Sequence, residues 1–276
     1  MGKALDIVQK TILYVILLVA MMIVIFPFIW LISSSLKAPN EVFAFPPDLL
    51  PKKLSLENFY TLLTRYAFAR WLFNSLVVAL STTLISLLLH SMAGYALARL
   101  EFPGRNLLFL GIMSTYMLPL QAIIVPRFLL VKSFGWIDTY QGLIIPSLFH
   151  AFGIFAFRQF FLGIPKELED AAIIDGCSRV RIYWTIVLPL SKGIFLTLGV
   201  ILFMANWDAF LWPLLITRSS DLRVAQIGIS TFMDPNITLW QFVISGSVLT
   251  MIPGLVLFFA LQRYIVRGIK TTGIRG

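Results

Sequence analysis

The chain has 276 residues, 59% of them hydrophobic and only 13% charged, with a formal net charge of +9 and a mean hydropathy of +0.89. Soluble domains average roughly 45–50% apolar and about 25% charged residues. A disordered chain, a collagen-like rod, a disulfide scaffold and an ordinary soluble enzyme are therefore excluded, and an all-α polytopic membrane protein is expected. The single cysteine, Cys177, rules out an internal disulfide or a cysteine-cluster metal site. The basic excess is the signature of loops retained on the cytoplasmic side rather than of nucleic-acid binding.

A hydrocarbon core needs about 20 apolar residues in helix. Six stretches meet that need: residues 11–36, 71–98, 106–126, 139–157, 193–217 and one within 235–262 that starts near Leu239. The first is too long for a signal h-region and lacks a small-residue cleavage site, so it reads as an uncleaved span. An even number of spans puts both termini on one side. Lys3, Lys10, Arg99, Arg105, Arg158, Lys166, Arg179, Arg181, Lys192, Arg263, Arg267, Lys270 and Arg275 assign that side to the cytoplasm. Opposite lie Lys37, Lys52, Lys53, Arg65, Arg70, Arg127, Lys132, Arg218 and Arg223, several of them in one long loop where charge counting is weakest. The organisation read from this is a cytoplasmic N-terminus over residues 1–10, a six-helix transmembrane domain over 11–265, and a cytoplasmic tail over 266–276. An outer loop over 37–70 holds Pro39, Pro46, Pro47 and Pro51 and a short amphipathic helix around 56–70. Asn236-Ile237-Thr238 matches a glycosylation acceptor, a pattern common by chance.

The cytoplasmic loop over 158–192 has helical grammar of its own. Pro165 is suited to a first helical position, and Glu167, Glu169 and Asp170 fill the first turns, where the helix dipole favours negative charge. Gly176 after Asp175 is a natural stop, which predicts a surface helix over 165–176. Leu168, Ala171, Ala172 and Asp175 are expected on one face, left nearly flat by the alanines. A capped amphipathic helix resting on the bilayer would use the same residues.

The longer pattern discriminates between these. Asp170-Ala171-Ala172, then Gly176, then Ile186 and Leu188-Pro189 resembles the signature loop of bacterial ABC-importer permeases, with aspartate where glutamate is usual and Glu169 beside it. Ser35-Leu36-Lys37, Ala93-Gly94-Tyr95-Ala96-Leu97-Ala98-Arg99, Phe102-Pro103-Gly104, Asp138-Thr139 with Gly142 and Pro146, Ala205-Asn206-Trp207, Phe210-Leu211-Trp212-Pro213, and Arg267-Gly268 with Gly273 and Gly276 are similar to the carbohydrate branch of that family, the maltose- and glycerol-phosphate-type second permease. The resemblance implies the type I importer permease fold and a loop helix that seats in a groove of an ATPase subunit. It also implies a second, different permease chain, two ATPase subunits and an extracytoplasmic solute-binding protein. ATP and magnesium then belong to the partner ATPase; no cofactor is expected on this chain, which has no phosphate-cradling glycine loop with Lys-Ser/Thr.

Asp208 is the one acid within the expected spans, about 22 Å along the fifth, where insertion of a charge costs roughly 2.5–3.5 kcal/mol. Asn206 and Asp208, with Trp207, Phe210 and Trp212, are candidates for lining the solute path; a structural acid near the Pro213 bend is the competing reading. The stripe Ser75, Ala79, Thr82, Ser86 and His90 reads as helix packing, His90 and His150 as groups satisfied within the bundle, and Trp71, Trp136, Trp212 and Trp240 as interface anchors. Pro119, Pro126, Pro146 and Pro253 are expected to kink spans. An intramembrane enzyme would need catalytic groups converging at one depth. An ion-coupled carrier would favour internal repeats and more buried ionisable groups. An importer of the same fold for a non-carbohydrate solute remains the alternative cargo reading.

Overall fold

A computed structural model describes residues 2–42, 44, 48–234 and 236–272. Pro46, Pro47, Pro235, Gly273, Arg275 and Gly276 lie outside the described residues. About 75% of the chain is helical, and the described residues form no strand, only one isolated bridge between Met233 and Thr238. The helices are α1 (Gly2–Ser35), α2 (Glu57–Thr64), α3 (Phe68–Arg99), α4 (Arg105–Tyr116), α5 (Leu120–Ser133), α6 (Tyr140–Ile144), α7 (Ala151–Leu162), α8 (Glu167–Ile174), α9 (Arg179–Ile182), α10 (Leu188–Leu190), α11 (Lys192–Trp207), α12 (Leu211–Ile216), α13 (Ala225–Ser230) and α14 (Trp240–Thr272).

Among the described residues, three helices are by themselves long and apolar enough to cross a membrane, over Gln9–Ser35, Phe68–Arg99 and Trp240–Leu261. Three bent pairs raise the total to as many as six: α4 with α5 (102°), Tyr140–Ser147 with α7 (46°), and Arg179–Leu190 with α11 (77°). The sharpest of these bends falls at a proline. Pro119 caps α5 in extended geometry, and a residue before proline is pushed out of the helical region, so the expected single span over 106–126 turns sharply at Leu118. The expected span over 193–217 ends at Trp207 and restarts at Leu211. Pro213 cannot donate to the carbonyl of Ala209, and Asp208 becomes the C-cap of α11 rather than a mid-helix acid.

The chain divides into two compact units, residues 1–69 with 228–252, and 70–227 with 253–276; the division crosses α14 at Pro253. In the first unit, Asn58 of α2 is buried and its Nδ2 donates to the carbonyls of Ser35 (3.2 Å) and Lys37 (2.7 Å), closing the C-terminus of α1. Those carbonyls have no intrahelical partner. The helix in the outer loop is shorter than its expected range and ends at Thr64. Lys37, counted as an outer loop charge, is 1% exposed, with its Nζ 4.8 Å from the Trp30 ring centroid. The apolar stretch of α1 is exposed over residues 11–29 in this chain and becomes buried only at its end, over Ser33–Ser35.

In the second unit the stripe on α3 is buried, and Ser75, Ser86 and His90 in it are hydrogen-bonded, whereas Thr82 Oγ1 has no partner among the described residues. Ser75 Oγ accepts from the Ala225 N–H (2.8 Å), and Ser86 Oγ donates to the Leu148 carbonyl (2.8 Å) exposed by the break before α7. His90 Nε2 accepts from the His150 N–H at 3.1 Å. The close approach of α3 and α7 depends on glycine: a Cβ at Gly94 would lie 2.7 Å from Phe157 Cβ, and one at Gly153 2.4 Å from His90 Nδ1. Trp71 and Trp212, expected as interface anchors, are instead buried in this unit, their indole N–H groups donating to Ser220 O (2.7 Å) and Gly142 O (3.1 Å).

Candidate functional site

α8 is two turns rather than the expected three, because it starts at Glu167 and not at Pro165. Its first turn carries Glu167, Glu169 and Asp170, favourable against the N-terminal partial charge. It ends in a Schellman motif: the Gly176 N–H donates to Ile173 O and the Cys177 N–H to Ala172 O, both at 2.9 Å. Gly176 has φ +79°, open to glycine without penalty. Ser178 then caps α9, its Oγ accepting from the Arg181 N–H at 3.3 Å.

The helix has one side in the core and one in the open. Glu169 and Ala172, three residues apart, are 1% and 7% exposed. Ala172 packs into a cluster with Leu87, Ala98, Phe157, Phe161, Ile182 and Val187, so it belongs to the interior and not to the flat outer face expected of it. Leu168, Asp170, Ala171, Ile174 and Asp175 are exposed.

Glu169 is the centre of a charged knot. Its Oε1 lies 2.8 Å from Arg99 Nε at the end of α3, and its Oε2 lies 3.5 Å from Arg179 Nη1 on α9. Tyr95 Oη donates to Oε2 at 3.2 Å. Arg99 also donates to the carbonyl of Ile164, just before the loop helix. A buried carboxylate needs this compensation, since losing one partner of such a pair costs about 3–5 kcal/mol. Sequence reading placed Glu169 with Asp170 among the ATPase-coupling residues of a surface helix; the structure buries it as the anchor of that helix. Arg99, Arg179 and Tyr95 were missed as its partners, although Tyr95 and Arg99 stand in the segment quoted for the family resemblance.

After α9 the chain widens into a π-helical turn over Tyr183–Val187. Pro189, which has no N–H for the carbonyl four residues back, stands two residues after its end. Tyr183 Oη and Ser91 Oγ are 2.7 Å apart, tying this turn to α3. Ile186 and Leu188 pack on the same cluster as Ala172, while Pro189 is exposed. Through this cluster α8 is packed against residues of α3, α7 and α11.

The candidate pathway residues divide. Asn206 and Trp212 line a cavity of about 620 Å³ with Tyr116, Arg127, His150 and Phe152. Trp207 is instead buried against Ala79 and Phe203. Asp208 and Phe210 are exposed and do not line that cavity; Asp208 Oδ1 accepts from Gln226 Nε2 at 3.4 Å. Arg127, counted in the sequence as an outer charge between spans, is in α5 and faces this cavity. A lone cation within an apolar run was the signal that could have found it. No group of metal-ligating side chains occurs among the described residues.

Comparison with known proteins agrees with this architecture. The profile of the family described as "Binding-protein-dependent transport system inner membrane component" matches residues 90–271, from His90 of α3 through the loop helix. The arabinooligosaccharides transport system permease protein AraQ of Bacillus subtilis (strain 168) is 35% identical over 255 residues, 91% of each chain. The sn-glycerol-3-phosphate transport system permease protein UgpE of Yersinia enterocolitica is 34% identical over 265 residues, 93% of this chain and 94% of that one. A solved bacterial ABC transporter involved in the import of the acidic polysaccharide alginate superposes with a TM-score of 0.85, covering 94% of this chain and 97% of that chain at 21% identity. With a buried knot fixing the loop helix and relatives matched over most of their length, the chain belongs to the family of binding-protein-dependent transport system inner membrane components.

Proposed function

We propose that this chain is one permease half of an ATP-driven, binding-protein-dependent importer for a sugar or a related polyol or glycerol-phosphate-type solute. The cargo class follows the relatives, permease proteins of arabinooligosaccharide and sn-glycerol-3-phosphate transport systems. It crosses the bacterial inner membrane six times, with both termini in the cytoplasm. The complex is completed by a second, different permease, two ATPase subunits carrying ATP and magnesium, and an extracytoplasmic solute-binding protein. This chain does no hydrolysis.

One observation carries the coupling mechanism: α8 is anchored by Glu169 and Ala172 on its inner side and leaves Leu168, Asp170, Ala171, Ile174 and Asp175 free on the other. The free face docks in the ATPase groove. Closure of the ATPase dimer pulls α8, and the Arg99–Glu169–Arg179 knot passes that motion to α3 and to the bent α9–α11 segment. The helices tilt and the path opens outward to the loaded binding protein. The decisive experiment is ATP hydrolysis by the complex that copurifies with this chain, in lipid, with its binding protein and a panel of carbohydrates. Stimulation by one compound is the expected result. Absence of any copurifying ATPase overturns the reading in favour of a carrier.

A further inference from the structure

The 620 Å³ cavity in the second unit has an unusual charge balance. Its lining contains Arg127 and His150 and no aspartate or glutamate. The Arg127 guanidinium stacks on the Trp212 ring, 4.1 Å from the centroid, and Nη2 donates to Ser147 Oγ at 3.0 Å. Ser147 is itself oriented by donating to the Leu143 carbonyl at 3.0 Å, and Trp212 by its bond to Gly142. Arg127 Nε is out of solvent and has no hydrogen-bond partner among the described residues. No described carboxylate forms an ion pair with this arginine.

A half-buried cation that is held rigidly, with its Nε out of solvent and no counter-charge, is costly on its own. A stacked, pre-oriented guanidinium is also the group best suited to a planar or tetrahedral oxyanion. The remaining walls are of the kind that binds a small organic solute: Tyr116, Phe152 and Trp212 offer aromatic surface, and Asn206 adds an amide. A hydrophobic pocket with one uncompensated positive group selects ligands that bring the missing negative charge.

We propose that this cavity is a solute subsite specific for an oxyanion, a carboxylate or a phosphate ester, carried on a carbohydrate or polyol, with Arg127 reading the charge. The proposal rests on the importer reading above and names its substrate class. Trp212 and Ser147 hold the guanidinium in place, and the aromatic walls take the apolar faces of the solute.

The test is uptake by the complete complex in proteoliposomes with its solute-binding protein. Two matched pairs serve as probes: a glucuronate-terminated disaccharide against its glucose-terminated twin, and sn-glycerol 3-phosphate against glycerol. The complex is expected to prefer the anionic member of one pair, and the preferred pair identifies the anion as carboxylate or phosphate. Arg127→Gln is expected to lower the anionic-to-neutral ratio of uptake efficiency at least about tenfold, the loss of a charged hydrogen bond. Arg127→Lys recovers part of it, and Ser147→Ala, which only loosens the guanidinium, causes a smaller fall. Preference for the neutral member of both pairs overturns the proposal, as does a ratio unchanged by Arg127→Gln. Should Arg127→Gln fail to assemble, an unchanged ratio in both Arg127→Lys and Ser147→Ala has the same force. ATP-independent uptake of every probe refutes the importer reading itself, a result distinct from loss of charge selection.

Discussion

Arg99 Nε and Glu169 Oε1 are 2.8 Å apart in an environment where the glutamate is 1% exposed. Arg179 approaches the other carboxylate oxygen at 3.5 Å, so one buried acid joins the end of α3 to α8 and α9. Removing it leaves the buried Arg99 guanidinium without its counter-charge, while the half-exposed Arg179 turns to solvent. Glu169→Ala is expected to destabilise the permease by about 3–5 kcal/mol, the cost of breaking a buried pair. Glu169→Gln keeps the shape and the Tyr95 contact but discharges the knot. In the assembled complex it should weaken coupling, so that solute moved per ATP hydrolysed falls while the ATPase remains bound. An unchanged ratio in Glu169→Gln would assign the knot to stability alone.

The two alanines of α8 should behave differently. Ala171 is exposed, so Ala171→Glu leaves the core intact and places a bulky charge on the docking face; ATPase copurification and uptake should both fall while the isolated permease keeps its thermal stability. Ala172 lies in the interior cluster, and Ala172→Glu forces an unpaired carboxylate into it. That variant should lose stability before any question of docking arises. Equal thermal stability of the two variants would contradict the inward orientation of Ala172.

These two residues also show where sequence reasoning stops. Composition and apolar run length identify a helical membrane protein, and Gly176 marks a helix end, because those signals are local. Which side of α8 faces inward is not local. Glu169 and Asp170 are adjacent acids in one helical turn, and the choice between them is made by Arg99 on a helix distant in sequence. Run length also conceals bends: residues 106–126 are apolar on both sides of Pro119, so one straight span and a pair bent by 102° have nearly the same composition. Lipid and protein core are both apolar, which is why Trp71 and Trp212 read equally well as interface anchors or buried residues. Of the residues that line the cavity, Asn206 and Trp212 were singled out from the sequence and Arg127 was not, since that arginine was counted by topology rather than by its surroundings.

Asp138 gives a pH dependence with a definite sign. Between α5 and α6 it adopts φ 58°, a left-handed geometry aspartate tolerates better than most residues. Its Oδ1 accepts from the backbone N–H groups of Arg218 (2.9 Å) and Ser219 (3.1 Å). Partial desolvation pushes the carboxyl up, but those bonds, the Ser219 hydroxyl and the charge of Arg218 outweigh it and hold the group below the ordinary 3.8. A depressed folded-state pKa contributes stability that is present above the ordinary value and lost as pH falls through the folded one. Asp138→Asn should therefore lower thermal stability at neutral pH and remove this contribution to acid sensitivity below about 3.8. Thermal unfolding of the detergent-solubilised chain from pH 7 down to pH 3 checks this; parallel curves for the two proteins would contradict it.

Asp208 is the last case, because its placement changes what its mutation means. As C-cap of α11 it sets a negative charge at the negative end of a helix dipole, with one long bond from Gln226 at 3.4 Å as compensation. A carboxylate there opposes the dipole by about 0.3–1 kcal/mol. If its role were structural, Asp208→Asn would hold or raise thermal stability and leave uptake unchanged, since asparagine still accepts from Gln226. A pathway role requires the charge itself, and then uptake falls although the fold is as stable as before. Because Asp208 is exposed and does not line the Arg127 cavity, full uptake by Asp208→Asn is the expected outcome. Loss of transport in a stable Asp208→Asn complex would move the solute path away from the Arg127 cavity and towards the break before α12.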